Sequence, residues 1–259
     1  QQDLNNAYDG LLDLADVLGI PPEALSLNGT LGLAFGARGS GGKNPAAAHY
    51  ESGGININLT KLNGKGSLAH EFFHGLDNYF GTMDEGDSFL SEGKRDKRKV
   101  VQKDGIPTMV ETVDADFKVR KEVYDAWKGL YKSIKNETKI IERSESLDKA
   151  RGKDYWSTVR EMTARSFERY VIDKLASKGF ESDYLANIVS EEAHDAENKI
   201  LGDNQAYPYP LNDEMEAVNN AYDNLFKTLK TKKTDKGTAL YSKSNKPQAK
   251  STVAQIKAL

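Results

Sequence analysis

The sequence predicts an α+β domain that is predominantly helical, with one small sheet near its start. Three observations predict it. Four stretches repeat apolar residues at helical spacing, beginning near Leu4, Asp116, Ser157 and Asp213. One stretch alternates strictly, with Ile55, Ile57 and Leu59 set against Asn56, Asn58 and Thr60. The 259 residues are 38% apolar and 29% charged, which is enough apolar content for a buried core.

The first helix places Leu4, Ala7, Tyr8, Leu11, Leu14, Ala15 and Leu18 on one face, and Gly19 with Pro21-Pro22 ends it. After a turn over 26–30, Leu31, Leu33 and Phe35 alternate with small residues, as in a buried strand. Gly36 to Gly42 reads as a loop, and Ala46 to Glu51 as a weak strand closed by a Gly53-Gly54 turn. The strand over 55–60 is expected to be apolar on one face and wet on the other. Asn63 to Gly66 reads as a turn. Ser67 is a candidate N-cap for a helix to Phe80, with Gly81 as its stop.

Gly81 to Asp114 lacks helical periodicity and carries the run GKRDKRKV, the mark of a solvated loop or insertion. A helix from Asp116 carries Phe117, Val123, Tyr124, Trp127, Leu130, Tyr131 and Ile134. A third runs from about Ser157 to Lys178 and stops at Gly179. Tyr207-Pro208-Tyr209-Pro210 is a rigid connector, and Asp213 with Glu216 resembles a capping box for the last helix. That helix carries Met215, Val218, Tyr222, Leu225 and Leu229. Residues 1–230 are thus expected to form one domain. The Lys-rich segment 231–259 is expected to be a linker or the start of a further domain, with Val253, Ile256 and Leu259 opening another helix. Removing 233–259 is then expected to leave stability nearly unchanged.

Composition narrows the chemistry. The absence of Cys excludes disulfide scaffolds, thiolate zinc sites and Cys nucleophiles. Lys plus Arg number 36 against 39 for Asp plus Glu, a net charge of -3, so nothing global points to nucleic acid. No apolar run is long enough to span a bilayer, and the N-terminus lacks a secretory pattern. The chain opens on Gln1, as a fragment or a processed piece would. The Gly-rich loop fails as a P-loop, since Asn44 follows Gly42-Lys43 and Ala37 stands at the first Gly position. It fails as a dinucleotide fingerprint because Asn44 stands at the third Gly position.

The strongest chemical signal is His70-Glu71-Phe72-Phe73-His74. Helical spacing sets His70 and His74 one turn apart on one face, so both imidazoles can reach one ion. Glu71 lies beside that face, where a carboxylate can take a proton from metal-bound water. Leu68, Phe72, Phe73, Leu76 and Phe80 make this a buried helix, whose His need partners. A catalytic zinc takes three protein ligands and a water. His194 lies in a polar stretch and reads as surface; His49 reads as a strand or cleft residue. The third ligand is then a carboxylate. Asp77 shares the His helix and suits an outer role, holding an imidazole N–H. Glu161 is the better candidate ligand, because Ala164 one turn later lets two helices approach closely.

Here the sequence resembles known families. Glu161-Met-Thr-Ala-Arg-Ser-Phe167 is similar to the glutamate helix of lethal-factor-type zincins, where E-x-x-A-x-x-F follows an H-E-x-x-H helix. That class carries a Tyr shortly before the Glu, assigned to the oxyanion, and the resemblance implies that role for Tyr155. A longer resemblance is to the large polyvalent protein-associated domain, the first of that series, from multidomain proteins of phages and mobile elements. It rests on residues 31–39 (LGLAFGARG), 48–52 (AHYES), 57–80 (INLTKLNGKGSLAHEFFHGLDNYF), 154–171 (DYWSTVREMTARSFERYV) and 207–215 (YPYPLNDEM).

The resemblance implies a zincin-like metallopeptidase domain with an HExxH active-site helix. Its Zn2+ would be held by His70, His74 and Glu161, with Glu71 and Tyr155 catalytic. Its partners would be a protein or peptide substrate and other domains of a larger polyprotein, with no membrane. Its place would be the cytoplasm of a bacterial host, delivered by a phage virion or mobile element. The alternative is a catalytically inactive module of the same fold that binds protein or nucleic acid through Lys94–Lys103 and Lys227–Lys257.

Overall fold

The computed structural model describes residues 2–36, 47–60, 64–83, 89–92, 96–113 and 119–241. Among them are seven α-helices: α1 (Gln2–Leu18), α2 (Leu68–Thr82), α3 (Lys121–Glu137), α4 (Ile140–Arg151), α5 (Val159–Ser177), α6 (Glu191–Leu201) and α7 (Met215–Thr228). A three-stranded sheet holds β1 (Gly32–Phe35), β2 (Ala48–Glu51) and β3 (Asn56–Leu59) in the order β1-β3-β2. β3 runs parallel to β1 and antiparallel to β2. Two hairpins, β4 (Asp96–Lys103) with β5 (Ile106–Val113) and β6 (Lys230–Thr234) with β7 (Gly237–Tyr241), complete an α+β, predominantly helical fold. No helix among the described residues is long and apolar enough to cross a membrane.

The core sits where α2, α3, α5 and α7 meet. Phe73 is its hub. Its ring lies 4.8 Å from Phe167, 5.3 Å from Trp127 and 5.7 Å from Tyr222. The Tyr222 hydroxyl is buried with its ring and donates to the Thr163 carbonyl at 2.5 Å. Aromatic clusters of this kind add directional packing to area burial. The apolar stripes expected over 123–134 and 215–225 are the faces α3 and α7 turn inward.

Several expectations need correction. On α1 the buried residues are Ala7, Gly10, Leu14, Ala15 and Leu18, while Leu4 and Tyr8 are 57% and 62% exposed. The inward face is therefore narrower than the apolar pattern. Gly10 belongs to it, packed against Leu185. The face of β3 expected to be wet is not wet at its centre: Asn58 is buried. Gly81 does not stop α2 but lies inside it, and a Cβ there would come within 2.6 Å of the backbone of Phe89 and Leu90. The last helix is opened by Glu214 rather than by Asp213 with Glu216. Its carboxylate accepts from Leu211 N at 2.8 Å and Lys139 N at 2.6 Å and pairs with Arg143 at 2.7 Å.

The expected loop after Gly81 contains the β4–β5 hairpin, turned by Asp104 (φ 53°) and Gly105 (φ 77°), the left-handed pair of a tight hairpin turn. The expected linker from residue 231 begins as the β6–β7 hairpin, which belongs to the domain. Leu240 is 1% exposed, the Tyr79 hydroxyl donates to its carbonyl at 3.1 Å, and Asn28 N donates to the Thr238 carbonyl at 3.3 Å. The loop over 37–42, Asn63, Phe117, Lys94 and the stretch from 242 with Val253, Ile256 and Leu259 lie outside the described residues.

Two stability predictions follow from these contacts. Leu240→Ala should lower unfolding free energy by about 2–5 kcal/mol in urea denaturation, the cost of a buried Leu truncation, whereas a linker position would change it by less than about 0.5 kcal/mol. Gly81→Ala should destabilise by about 1–3 kcal/mol, because a backbone contact cannot yield as a side chain can; a neutral result in the same assay would mean that residues 89–90 do not press on α2.

Candidate metal centre

The first turn of α2 is set by the segment before α6. Gly66 (φ +84°) donates to the Tyr184 carbonyl at 3.0 Å and accepts from Asn187 N at 3.1 Å, and a Cβ there would meet Asn187 at 2.6 Å. Ser67 makes no side-chain cap. Instead Ala69 N, one of the donors every helix start leaves open, donates to the Leu185 carbonyl at 2.9 Å. α2 is then locked by burial of Leu68, Phe72, Phe73, Leu76 and Phe80, which turns His70 and His74 toward α5. α5 starts at a true cap: Thr158 accepts from Glu161 N at 3.4 Å. Ala164, fully buried, permits the close approach, and Phe167 on Phe73 fixes the register.

The two helices bring His70, His74 and Glu161 together. His70 Nε2 lies 3.3 Å from Glu161 Oε2, and His74 Nε2 lies 3.4 Å from Glu161 Oε1. The imidazole rings are 4.7 Å apart and nearly perpendicular, at 83°. One ligand atom from each residue lies within 4.8 Å of the others. Zinc bonds of about 2.0–2.2 Å in a tetrahedron separate ligand atoms by about 3.4 Å, so these spacings suit one small cation. The donor set of two imidazoles and a carboxylate fits zinc chemistry, and it also suits other borderline divalent ions. Glu161 Oε2, which faces His70 Nε2, is buried without a hydrogen bond of good geometry, the condition of an atom built for another kind of bond.

Around this group stand three further residues. Glu71 is buried, and its carboxylate lies beside the Tyr50 backbone N–H, which favours its charged form. That N–H is on the edge of β2 that faces away from β3. Thr60 N donates to the Ala47 carbonyl, so Ala47, His49 and Glu51 bond to β3 while Ala48 and Tyr50 point away from it. The Tyr155 phenol stands close enough to the Glu161 carboxylate to feel its charge, which places it beside the centre. Glu168, two turns along α5 from Glu161, receives His70 Nδ1 at 3.0 Å through Oε2. Such a bond fixes the ring so that Nε2 faces the centre.

Charge follows geometry. Burial works against a charged His70, yet the charges and hydrogen bonds of Glu168 and Glu161 push its pKa up to about 10. Burial drives His74 down to about 4. Burial, opposed by the His70 charge, raises Glu71 to about 7. Glu161 is buried too, but its contacts with His70 and His74 hold it well below the usual carboxylate range. Burial and the Glu161 charge push the Tyr155 phenol above its usual value, so it stays a hydrogen-bond donor at neutral pH.

Of the residues singled out in the sequence, His70, Glu71, His74, Tyr155 and Glu161 converge. Asp77 does not take the outer role expected for it. It lies further down α2 and accepts from Ser91 N at 2.8 Å and Ser91 Oγ at 2.5 Å, pinning the 3-10 turn over Leu90–Glu92. Glu168 holds the imidazole instead; its position two turns beyond Glu161 was a usable signal. His49 pairs with Glu51 at 3.2 Å on β2. His194 is half-buried rather than on the surface, its ring 5.3 Å from that of Tyr207.

Residues 147–233 match the family model described as large polyvalent protein-associated domain 1. The match supports a relationship to polyvalent-protein domains over that segment, which holds Tyr155, Glu161 and Glu168; His70 and His74 precede it. No curated protein and no solved structure matches the chain.

The centre makes a graded prediction for metal binding, read by zinc titration calorimetry. His74→Ala and Glu161→Ala should abolish stoichiometric binding. Glu168→Gln should weaken it by about 10–100-fold, the usual effect of an outer partner. Asp77→Asn should leave the affinity within about twofold, the result expected of a group that touches no ligand. Equal losses for Glu168→Gln and Asp77→Asn would remove Glu168 from its assigned part.

Proposed function

We propose that this chain is a zincin-like, zinc-dependent metallopeptidase domain of a phage or mobile-element polyvalent protein. The observation that carries the reading is the meeting of His70, His74 and Glu161 with one buried carboxylate, Glu71, and one tyrosine hydroxyl, Tyr155, beside them. Ligands, base and oxyanion donor are the parts that hydrolysis of a peptide bond needs.

Bound by the three ligands, zinc would lower the pKa of its water to about 7 and polarise the scissile carbonyl. Glu71 takes the proton of the attacking water and returns it to the leaving amine. Tyr155, kept protonated, donates to the oxygen that gains charge. Among the described residues no strand pairs with the outer edge of β2, which offers the Ala48 and Tyr50 backbone groups to an extended peptide, with Glu71 beside the second. The substrate class is therefore an extended protein segment. The place of action, on this reading, is the cytoplasm of a bacterial host.

A second reading keeps the fold without the chemistry. Lys97, Lys99 and Lys103 on β4, with Lys230, Lys232 and Lys233 on β6, make two basic hairpins that suit an acidic partner. The two readings part at Glu71. If the domain is a peptidase, Glu71→Gln should retain a full equivalent of zinc and lose about 10²–10⁴-fold in peptide hydrolysis, the range for a removed general base. Elemental analysis and cleavage of an unbiased peptide mixture check both. Hydrolysis by the parent that persists undiminished in Glu71→Gln would contradict the role; a zinc-loaded parent that cleaves nothing would favour the binding module.

A further inference from the structure

The loop before α5 gives three consecutive N–H groups to one carboxylate. Asp148, at the end of α4, accepts from Tyr155 N at 3.0 Å, Trp156 N at 2.8 Å and Ser157 N at 2.8 Å. It also accepts from the Ser157 hydroxyl at 2.6 Å. The carboxylate side chain is buried. Backbone N–H groups that converge in this way form an anion-binding concavity, and here the chain fills it with its own side chain. Bonds to an ionised acceptor are the strong class of hydrogen bond.

The carbonyl side of the loop is held as firmly. The Thr158 hydroxyl donates to the Tyr155 carbonyl at 2.9 Å and accepts from Glu161 N, so one hydroxyl ties the backbone of the tyrosine to that of the ligand. Buried Arg165 donates to the Trp156 carbonyl and lies 4.8 Å from the Trp156 ring. The Arg151 guanidinium covers the Tyr155 ring at 4.7 Å. Loops of this size ordinarily sample many conformations. This one has a bonding partner for each of its three N–H groups on a single side chain from another helix.

We infer that Asp148 is a positioning residue: it fixes the 155–157 loop so that the Tyr155 hydroxyl stands at Glu161. It touches none of the metal-binding atoms and acts through Tyr155. The consequence for catalysis rests on the metallopeptidase reading, in which Tyr155 is the oxyanion donor. Asp148→Asn keeps the size of the side chain but replaces one acceptor oxygen with an NH2 donor that faces the loop donors. It should loosen the loop without disturbing His70, His74 or Glu161.

The test is a double-mutant cycle on the zinc-loaded full chain with Asp148→Asn and Tyr155→Phe. Asp148→Asn should lower kcat about 10-fold or more, a part of the 10²–10³ that an oxyanion donor contributes, with KM and zinc content unchanged. In the Tyr155→Phe background the same substitution should change kcat less than twofold. Equal losses in both backgrounds, or loss of zinc, would overturn the inference. Ser157→Ala removes one of the four bonds and should give a smaller kcat loss with the same dependence on Tyr155, which keeps the cycle usable if Asp148→Asn fails to fold.

A second readout needs no activity. In 3-fluorotyrosine-labelled protein, the Tyr155 fluorine resonance, assigned by its loss in Tyr155→Phe, should lie away from the free amino acid. It should move toward it in Asp148→Asn and Ser157→Ala. An unmoved resonance would overturn the positioning role. A moved resonance in a protein that cleaves no peptide would retain the positioning role and retire the metallopeptidase reading.

Discussion

The contact of Phe73 with Phe167 governs this molecule. It sits at the crossing of α2 and α5, and the candidate ligands lie on the same two helices, His70 and His74 on one and Glu161 on the other, with Glu168 two turns further along. Because interiors pack like solids, a shift of one helix on the other would move every ligand at once. Trp127 and Tyr222 press on Phe73 from α3 and α7, so the whole helical layer braces that one crossing. The His70 and His74 nitrogens stand 3.3–3.4 Å from Glu161 across this crossing, and Ala164, one turn beyond Glu161, is fully buried.

The crossing carries a burden of buried polarity. Glu71, His74, Glu161 and Glu168 are all buried, and His70 is nearly so. Taking such groups from water is unfavourable unless each finds partners. Most do: Glu168 has His70, Glu71 lies beside the Tyr50 N–H, and Glu161 stands 3.3–3.4 Å from both imidazoles. Elsewhere the fold uses buried charge for mounting. Arg143 and Glu214 anchor the Tyr207–Tyr209 connector, since Arg143 donates to both tyrosine carbonyls, and Asp77 anchors the turn that lies over Gly81. Carboxylates that receive backbone N–H groups thus recur as the device that ties loops to helices.

Much of this was legible in the sequence, for identifiable reasons. The stripes of α3 and α7 match their buried faces because apolar packing alone sets them. His70 and His74 were legible because a four-residue spacing is meaningful on any helix, and Glu161 because a small residue follows it by one turn. What was hidden is equally specific. α4 buries Ile140, Ser144 and Asp148 on its inward side, so two of its three buried positions are polar and no apolar period marks it. α6 buries no residue fully. β4 and β6 carry so many Lys that they read as solvated segments, although Asp104-Gly105 marked one of the turns. Glu168 was given no part, because its partner lies 98 positions away. Long-range polar pairing is the part of a fold that periodicity does not record.

The central claim is that α2 and α5 together build one metal centre. Crystals grown with zinc and measured at its absorption edge test it most directly. The account predicts a single strong anomalous peak bonded to His70 Nε2, His74 Nε2 and a Glu161 oxygen at about 2.0–2.2 Å, with His70 Nδ1 still on Glu168. A peak that lies away from these three side chains, or a bound zinc with Glu161 turned to solvent, would contradict it.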